Sequence, residues 1–438
     1  MSVQVPDSRF RPAQREAGAD ERLGTPSLTY WQDCWRRLRR NTSAVVSMIV
    51  IVFVVLSAVL IPFFWPFSYE EQVLQFANVP PSLDIYDLGE GHYVYITKEF
   101  KSINVDADGH LLSADNPRVD DKSNRLYVYE VNGKPLRIDY SLYFRAKQEF
   151  MRLSAGKQSE CRVANVEYLR GYYGENAPET VTVAEAEDVL ERRIARFRVS
   201  YDGEEITPFR HVGNRTYIWG TDSLGRDMFI RVVYGARISL LVGVVAALVN
   251  FVVGVLYGAV AGYVGGRVDN VMMRIVDTIS SIPMMLYVIL IMVVLGSGLQ
   301  PIILAIGLTY WTGMARIVRS QVLSMREQEF VSAAILLGVP ARRIVIRHLI
   351  PNAMGPIMVS LTMQLPSAMF TEAFLSFIGL GVSKPMASWG ALANAALPSL
   401  YSNPYQLFYP ALAMSVTILA LNLFSDGLRD SLDPRLRK

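Results

Sequence analysis

The stretch Ile238-Ser-Leu-Leu-Val-Gly-Val-Val-Ala-Ala-Leu-Val-Asn-Phe-Val-Val-Gly-Val-Leu-Tyr-Gly-Ala-Val-Ala-Gly-Tyr-Val264 contains no Asp, Glu, Lys or Arg. About 20 apolar helical residues cross a hydrocarbon core ~30 Å thick. This segment alone therefore predicts a helix in a bilayer. Gly254, Gly258, Gly262 and Gly266 recur every four residues. Stacked on one helix face, such glycines admit a second helix at close range. The ladder speaks of packing rather than chemistry, and it leaves open whether the partner helix belongs to this chain or another.

Working outward, further charge-free windows appear. Ala44 to Phe64 is one. Thr278 to Ala315 is another, interrupted by Gly296-Ser-Gly-Leu-Gln-Pro301, which reads as a tight turn between two helices. Leu349 to Thr371 follows. In Pro385 to Ser425, Pro398 and Asn403-Pro404 confine the helix to about 407–424. Six spans are expected. Only 19% of the 438 residues are charged, against roughly 25% in globular proteins. The deficit is concentrated in these windows, which excludes a single soluble domain. A net charge of +3 implies no general affinity for nucleic acid. The first window starts too late and is too long for a cleavable signal peptide, and it reads as an uncleaved anchor.

Lys and Arg near the span ends set the orientation. Arg36, Arg37, Arg39 and Arg40 precede the first span. Arg316, Arg319, Arg326, Arg342, Arg343 and Arg347 lie between the fourth and fifth, and Arg429, Arg435, Arg437 and Lys438 follow the sixth. Only Lys384 lies between the fifth and sixth. Both termini are expected in the cytoplasm, and 65–236 outside. Cys34 and Cys161 then lie on opposite sides and cannot pair; each reads as a passive small residue. Trp31 and Trp35, four apart amid arginines, suggest a helix lying in the headgroup layer. A plain basic flank would explain the arginines but not the tryptophans.

The longest cytoplasmic connection reads Glu329-Phe-Val-Ser-Ala-Ala-Ile-Leu-Leu-Gly-Val-Pro-Ala-Arg-Arg-Ile-Val-Ile-Arg-His-Leu-Ile-Pro-Asn352. A helical run over Phe330–Leu337 stops at Gly338, suited to a left-handed cap. A second begins near Pro340 and is expected to end before Pro351. A basic, partly apolar helix–turn–helix on this side suits a cytosolic partner, whereas a plain loop of this length would be unusual.

Ser332-Ala333-Ala334, Gly338 and His348-Leu349-Ile350-Pro351 resemble the "EAA" loop of ATP-binding-cassette importer permeases, with its spacing intact. Ser332 replaces the family's Glu, so one charged contact with an ATPase is lost; His348 and Ile350 replace its Ile and Leu. Other segments resemble the C-type permease of dipeptide and oligopeptide importers. They are Trp219-Gly-Thr-Asp-Ser-Leu-Gly-Arg-Asp227 with Arg231, Gly235-Ala-Arg237 and Ser239-Leu240, then Gly262-Tyr-Val-Gly-Gly-Arg-Val-Asp269. Glu372-Ala-Phe-Leu-Ser-Phe-Ile-Gly-Leu-Gly381, Ser388-Trp-Gly390 and Asp426-Gly-Leu-Arg-Asp-Ser-Leu-Asp-Pro-Arg435 complete the set. The resemblance covers 1–82 loosely and 217–438 closely.

The external loop of that family is interrupted here, because 136 residues separate Ser82 from Trp219. His92-Tyr-Val-Tyr-Ile-Thr97 and Arg125-Leu-Tyr-Val-Tyr-Glu-Val131 alternate like strands. Asn132-Gly133 is a hairpin turn signal, and Val183–Arg198 reads as an amphipathic helix. An α+β insert is expected over 83–216. Tyr93, Tyr95, Tyr127 and Tyr129 could face a partner or the insert's own core. Asn104-Val-Asp-Ala-Asp-Gly109 has half of a calcium-loop pattern, with Asp115 where a bidentate Glu belongs; an Asp-Gly hairpin turn fits it better.

No P-loop occurs, so the chain is not its own ATPase. His92, His110, His211 and His348 lack metal-ligand spacing, and no nucleophile–base set appears. Glu372 is the carboxylate closest to a membrane core, where ionisable groups are costly; it reads either as lining the path or outer gate, or as a structural group.

The resemblance implies an all-α polytopic fold of six transmembrane helices, the type I importer permease, carrying the α+β insert. The expected division is a cytoplasmic segment 1–43, first span 44–64, external segment 65–236, core 237–425 and cytoplasmic tail 426–438. A coupling loop over 317–352 would use Ser332, Ala333, Ala334, Gly338, Arg342, Arg343, Arg347, His348 and Pro351 to meet the ATPases. Implied partners are a homologous permease, two cytosolic ATPases, an extracytoplasmic binding protein and membrane lipid. The chain itself would be no enzyme and would hold no cofactor or metal, ATP and magnesium residing on the partner ATPases. A peptide is the implied substrate, with nickel chelates or sugars as alternatives. A secondary transporter would show broken helices with charged midplane residues, and these windows are almost charge-free.

Overall fold

The computed structural model describes residues 30–156, 159–382 and 385–432. Expectations resting on residues 1–29, Lys157, Lys384, Arg435, Arg437 and Lys438, and on the side chain of Trp31, lie outside the described residues. Helix α1 (Tyr30–Arg40) buries Cys34 and Leu38, one turn apart, and leaves Trp35 exposed under the Arg39 guanidinium at 4.9 Å. The Asn41 side chain accepts from the Ala44 N–H (3.2 Å) and starts α2 (Thr42–Phe64). Most of α2 is exposed apolar surface, as a lipid-facing helix requires. Its small residues Ala44, Ser47 and Ala58 are buried.

The insert begins immediately after the first external turn. Strands β1 (Ser82–Asp87), β2 (Tyr93–Ile96), β3 (Ser102–Val105) and β4 (Leu111–Ala114) form an antiparallel meander. A second sheet holds β5 (Val119–Asp121), β6 (Leu126–Val131) and β7 (Lys134–Asp139). Asn132 and Gly133, both at positive φ (53° and 74°), close the β6–β7 hairpin. A helical lobe follows, with α3 (Ser141–Ala155), β8 (Glu160–Arg162), α4 (Glu167–Tyr173), β9 (Thr180–Thr182) and α5 (Val183–Arg192). A capping box between Thr182 and Glu185 fixes the start of α5. The helix ends six residues before Arg198, because Arg198 already belongs to β10 (Arg198–Tyr201), paired with β7. Strand β11 (Glu204–Ile206) completes the second sheet. Strand β12 (Arg210–Gly213) returns to pair with β1, Ser82 opposite Gly213. The insert therefore leaves the chain and rejoins it at adjacent positions.

Two of the four tyrosines, Tyr95 and Tyr129, are 6% and 2% exposed and belong to the insert's core. Tyr93 and Tyr127 are half-buried, Tyr93 stacked on the exposed Phe209 and Tyr127 on Tyr140. At Asn104–Asp115 the Asp106 carboxylate accepts from the N–H groups of Asp108 and His110, a tight turn between strands. No group of three metal-ligating side chains occurs among the described residues.

Asp227 caps α6 (Met228–Val249) by accepting from the Phe229 N–H (2.8 Å). A π turn at Asn250–Gly254 joins α6 to α7 (Val255–Val264), giving one run of 37 residues. The helix thus begins ten residues before the charge-free window, and the core boundary at 237 falls inside it. Arg231 and Arg237 are accommodated there by the Tyr69 carbonyl and by the Ala58 and Val59 carbonyls.

Helix α8 (Gly266–Ser281) and α9 (Met284–Leu295) meet at 79°. Pro283 causes the break: Ile282 before it is extended (φ −89°, ψ 124°), as a residue preceding proline prefers. The third window is thus a bent pair rather than one straight helix. Next come α10 (Leu299–Arg326), α11 (Glu329–Leu336), α12 (Ala341–Ile344), a π turn at Val345–Leu349, α13 (Ile350–Asn352) and α14 (Met354–Phe377). Helix α10 runs to Arg326, so the connection between the helices begins later than residue 317. Its second helix does not stop before Pro351 but passes through it to Asn352. The widened π turn leaves room for a ring that carries no N–H. The run Ala341–Asn352 then bends by 66° into α14. Helices α15 (Trp389–Ala396) and α16 (Tyr405–Leu432) close the chain, so the first residues of the tail are helical. Among the described residues four helices are each long and apolar enough to cross a bilayer, and counting each bent pair as one span brings the number to six.

Candidate coupling and translocation site

The connection between α10 and α14 has two faces. Val331, Ile344 and Leu349 are fully buried against Val318 and Val322 of α10 and Val255 and Ala259 of α7, with Ala334 half-buried beside them. On the other face Leu336 and Leu337 are 88% and 83% exposed. Isolated exposed apolar residues are ordinary, but a contiguous exposed patch marks a contact surface. Ser332, Ala333, Gly338, Arg342, Arg343, Arg347 and Pro351 are exposed around these leucines, and His348 is half-buried. Gly338 sits at φ +73°, and the chain turns there between α11 and α12. The arrangement is a rigid two-helix piece, keyed into the bundle on one side and open on the other.

The bundle side is held by the glycine seam. A Cβ on Gly254 would lie 2.7 Å from the Met314 Cβ, one on Gly262 would lie 2.8 Å from the Arg319 carbonyl, and one on Gly258 would strike the Ala315 carbonyl. The partner helix is α10 of the same chain. Gly266 is not part of this seam: α7 ends at Val264, Gly266 opens α8 at φ +58°, and nothing lies within 4 Å of its would-be Cβ. Below the seam the Arg319 guanidinium grips both oxygens of Asp269, each at 2.5 Å, and Arg316 meets Asp277 at 3.0 Å. These pairs tie α8 to α10. The bidentate fork adds direction as well as energy.

Glu372 is fully buried. Its carboxylate accepts from Ser239 of α6 (2.9 Å) and Ser376 of its own helix (2.7 Å), with Ser388 as a further donor. A carboxylate enclosed by three hydroxyls joins α14, α6 and the start of α15. These surroundings are those of a structural group, one of the two readings of Glu372.

Outside the bundle, Asp222 holds Arg226 (2.7 Å) and approaches Arg231 (3.6 Å), all nearly buried. The Asp227 Oδ2 accepts from the Trp65 indole N–H at 2.6 Å. Burial pushes the Asp227 carboxyl up to about 6, opposed by the Trp65 indole and the Phe229 and Ile230 N–H groups. The segments flanking the insert hold the start of α16: Gln406 donates to Asn78 (3.0 Å) and Tyr405 donates to the Thr221 carbonyl (2.7 Å). From the insert itself, Lys98 donates to the Ser402 carbonyl.

A groove of about 1160 Å³ opens between α10, α14 and the end of α16. Ile317, Val359 and Met363 supply apolar walls, Ser360, Gln364 and Ser367 supply polar groups, and Arg429 stands at one end. At the other end the Asn250 amide donates to Gln364 Oε1 across the helices. The sequence reading missed this pair. Its signal was two amide side chains inside otherwise apolar windows, which are rare in spans and tend to be functional.

Residues 254–438 match the family model described as binding-protein-dependent transport system inner membrane component, and residues 29–81 match the N-terminal TM domain of oligopeptide transport permease C. The dipeptide transport system permease protein DppC of Bacillus subtilis is 52% identical over 221 residues, covering 50% of this chain and 69% of that one. The oligopeptide transport system permease protein OppC of the same organism is 50% identical over 225 residues, covering 51% and 74%. OppC of Escherichia coli is 48% identical over 221 residues, covering 50% and 73%. The inward-facing MetNI methionine ABC transporter has a TM-score of 0.40 and 17% identity, covering 47% of this chain and 98% of that one.

Proposed function

The chain belongs to the family of binding-protein-dependent transport system inner membrane components, in its peptide permease C branch, and we propose that it forms one half of a path through which peptides enter the cell. As a permease it is a multi-pass membrane protein and not itself an enzyme. The observation that carries the reading is the two-faced connection around Gly338. One face is packed into the glycine-seamed bundle; the other presents Leu336, Leu337, Arg342 and Arg343 to the outside. A lever must grip both parts it connects, because coupling needs differential contact in two states.

In this reading two cytosolic ATPases seat on that outer face and a homologous permease completes the path. Closure of the ATPases on ATP, with magnesium held by them, moves α11 and α12. The seam carries that movement to α7 and α10, and the cavity opens outward to a binding protein. Residues Ser332, Ala333, Ala334, Gly338, Arg342, Arg343, Arg347, His348 and Pro351 form the seat. The six-span count takes each bent pair as one crossing. Residues 30–43 lie with α1 along the cytoplasmic surface, and both chain ends face the cytoplasm. The insert over 83–216 projects from the outer mouth. Relatives named for dipeptide and oligopeptide transport support a peptide over chelates or sugars.

The test is purification of the tagged chain from its native membrane, followed by reconstitution. Co-purification of an ATPase and ATP-dependent uptake of short peptides are the expected results. A lone chain, or uptake driven by an ion gradient without ATP, would overturn the reading. A single cysteine at Arg343 should react with an impermeant label only from the cytoplasmic side; labelling from outside would reverse the orientation.

A further inference from the structure

Gln364 stands at mid-helix in α14, half-buried at the head of the groove between α10, α14 and α16. Its Oε1 is taken by the Asn250 amide. Its Nε2 donates to no described residue and lies over Gly313, where an added Cβ would remain 3.8 Å away. A glycine at that point leaves the donor uncovered. Asn250 is fully buried, and its Oδ1 has no partner. The buried Asn250 acceptor is unused among the described residues, at a cost of ~1–3 kcal/mol, while the Gln364 donor stands free on the groove. The pair sits at the first residue of the π turn Asn250–Gly254, and such turns occur frequently at functional sites.

The groove suits a ligand whose recognition ignores side-chain identity. Its walls are aliphatic, its polar groups are neutral hydroxyls and amides apart from Arg429 at one end, and no carboxylate lines it. Every residue of a peptide carries one N–H donor and one C=O acceptor on the main chain, whatever its side chain. The free Nε2 of Gln364 offers the donor that such a carbonyl takes. We propose that Gln364, held in place by Asn250, donates to main-chain carbonyls of the peptide in transit, and so supports passage of varied sequences. This rests on the peptide-import reading above.

The experiment uses the whole reconstituted complex with its binding protein. Uptake of trialanine is compared with uptake of trialanine carrying a thioamide at its first peptide bond, whose sulfur is a weak hydrogen-bond acceptor. Gln364→Met keeps length and volume and removes both amide groups. Trialanine uptake should fall about fivefold, the factor a single net hydrogen bond supplies. The preference for trialanine over the thioamide analogue should narrow by a similar factor. Any preference of the binding protein is common to both complexes and cancels in that comparison, and a merely structural role would not move it. Asn250→Ala leaves Gln364 in the groove without its support and should narrow the preference about twofold, less than loss of the Gln364 contact itself. If Gln364→Met fails to retain the co-purifying subunits, Gln364→Glu supplies the same comparison, keeping the acceptor for Asn250 and removing the donor. Peptide uptake with an unchanged preference in the Gln364 variant overturns this inference alone. A wild-type complex that imports no short peptide overturns the import reading beneath it.

Discussion

Two residues outside the lipid show how local geometry becomes measurable. Gly338 holds φ +73° at the turn between α11 and α12. Nothing lies within 4 Å of a Cβ placed there, so a substitution is opposed by backbone strain alone. A left-handed conformation costs an L residue roughly 1–2 kcal/mol, and more if it is β-branched. Gly338→Val should leave the bundle folded while displacing the exposed leucines, and substrate-stimulated ATP hydrolysis by the complex should drop severalfold. Asp227 makes a pH prediction. Its carboxyl titrates at about 6 when folded, against 3.8 in a free chain. The folded chain then holds the proton more tightly, so this group's contribution to stability is greatest at acid pH. It declines as pH rises from about 4 to about 6, by ~3 kcal/mol. Thermal midpoints of the purified protein across pH 4–7 should show that slope relative to Asp227→Asn, which cannot titrate. The turn glycine was legible in sequence because glycine reaches that φ without steric cost and commonly ends a helix there. The Asp227–Trp65 pair was not, since 162 positions separate its partners.

At the scale of elements, the glycine seam brings α7 and α10 together with no room for a side chain between them. Gly258 faces the Ala315 backbone, which cannot rotate away as a side chain can. Gly258→Val should separate α7 from α10, destabilise the protein by ~1–3 kcal/mol, and loosen the coupling piece that rests on Val255 and Ala259. Gly266→Ala, outside the seam, should cost less; thermal unfolding in detergent distinguishes the two. Spacing by four revealed the seam but could not reveal its end, because Gly265 at φ +71° terminates α7 before the periodicity does. The windows of the spans were legible from charge alone. Their bends were not, since a proline such as Pro283 is compatible with both a kink and a break. The π turns at Asn250 and Val345 have no compositional signature, because they answer packing between elements far apart in sequence. The helix through Pro351 departs from expectation for that reason.

For the molecule as a whole, the insert is joined at one neck. Strands β1 and β12 pair there, and Asn214 braces the joint by donating to the Pro80 carbonyl (3.1 Å) and accepting from the Thr216 and Tyr217 N–H groups. Replacement of residues 83–212 by a short Gly/Ser linker should therefore retain the membrane bundle and its ATPase assembly. It removes the cover over Phe76, Val79 and Tyr217 and the Lys98 contact at Ser402. Uptake at limiting binding protein should fall about tenfold, equivalent to ~1.4 kcal/mol; full uptake would reduce the insert to an ornament. Strand alternation and Asn132-Gly133 made a β-containing insert legible. Its division into two sheets and a helical lobe was not, because pairings such as β1 with β12 are nonlocal.

That neck also sets an order of events during biogenesis. Ser82 cannot meet Gly213 until everything between them stands on one side of the membrane. Closing an open loop of that length costs roughly 4 kcal/mol of chain entropy. A pre-folded insert brings its own ends together and removes most of that cost. A folded insert therefore hands the bundle two chain ends already side by side, as a short linker would, and α2 and α6 meet as if they were close neighbours in sequence.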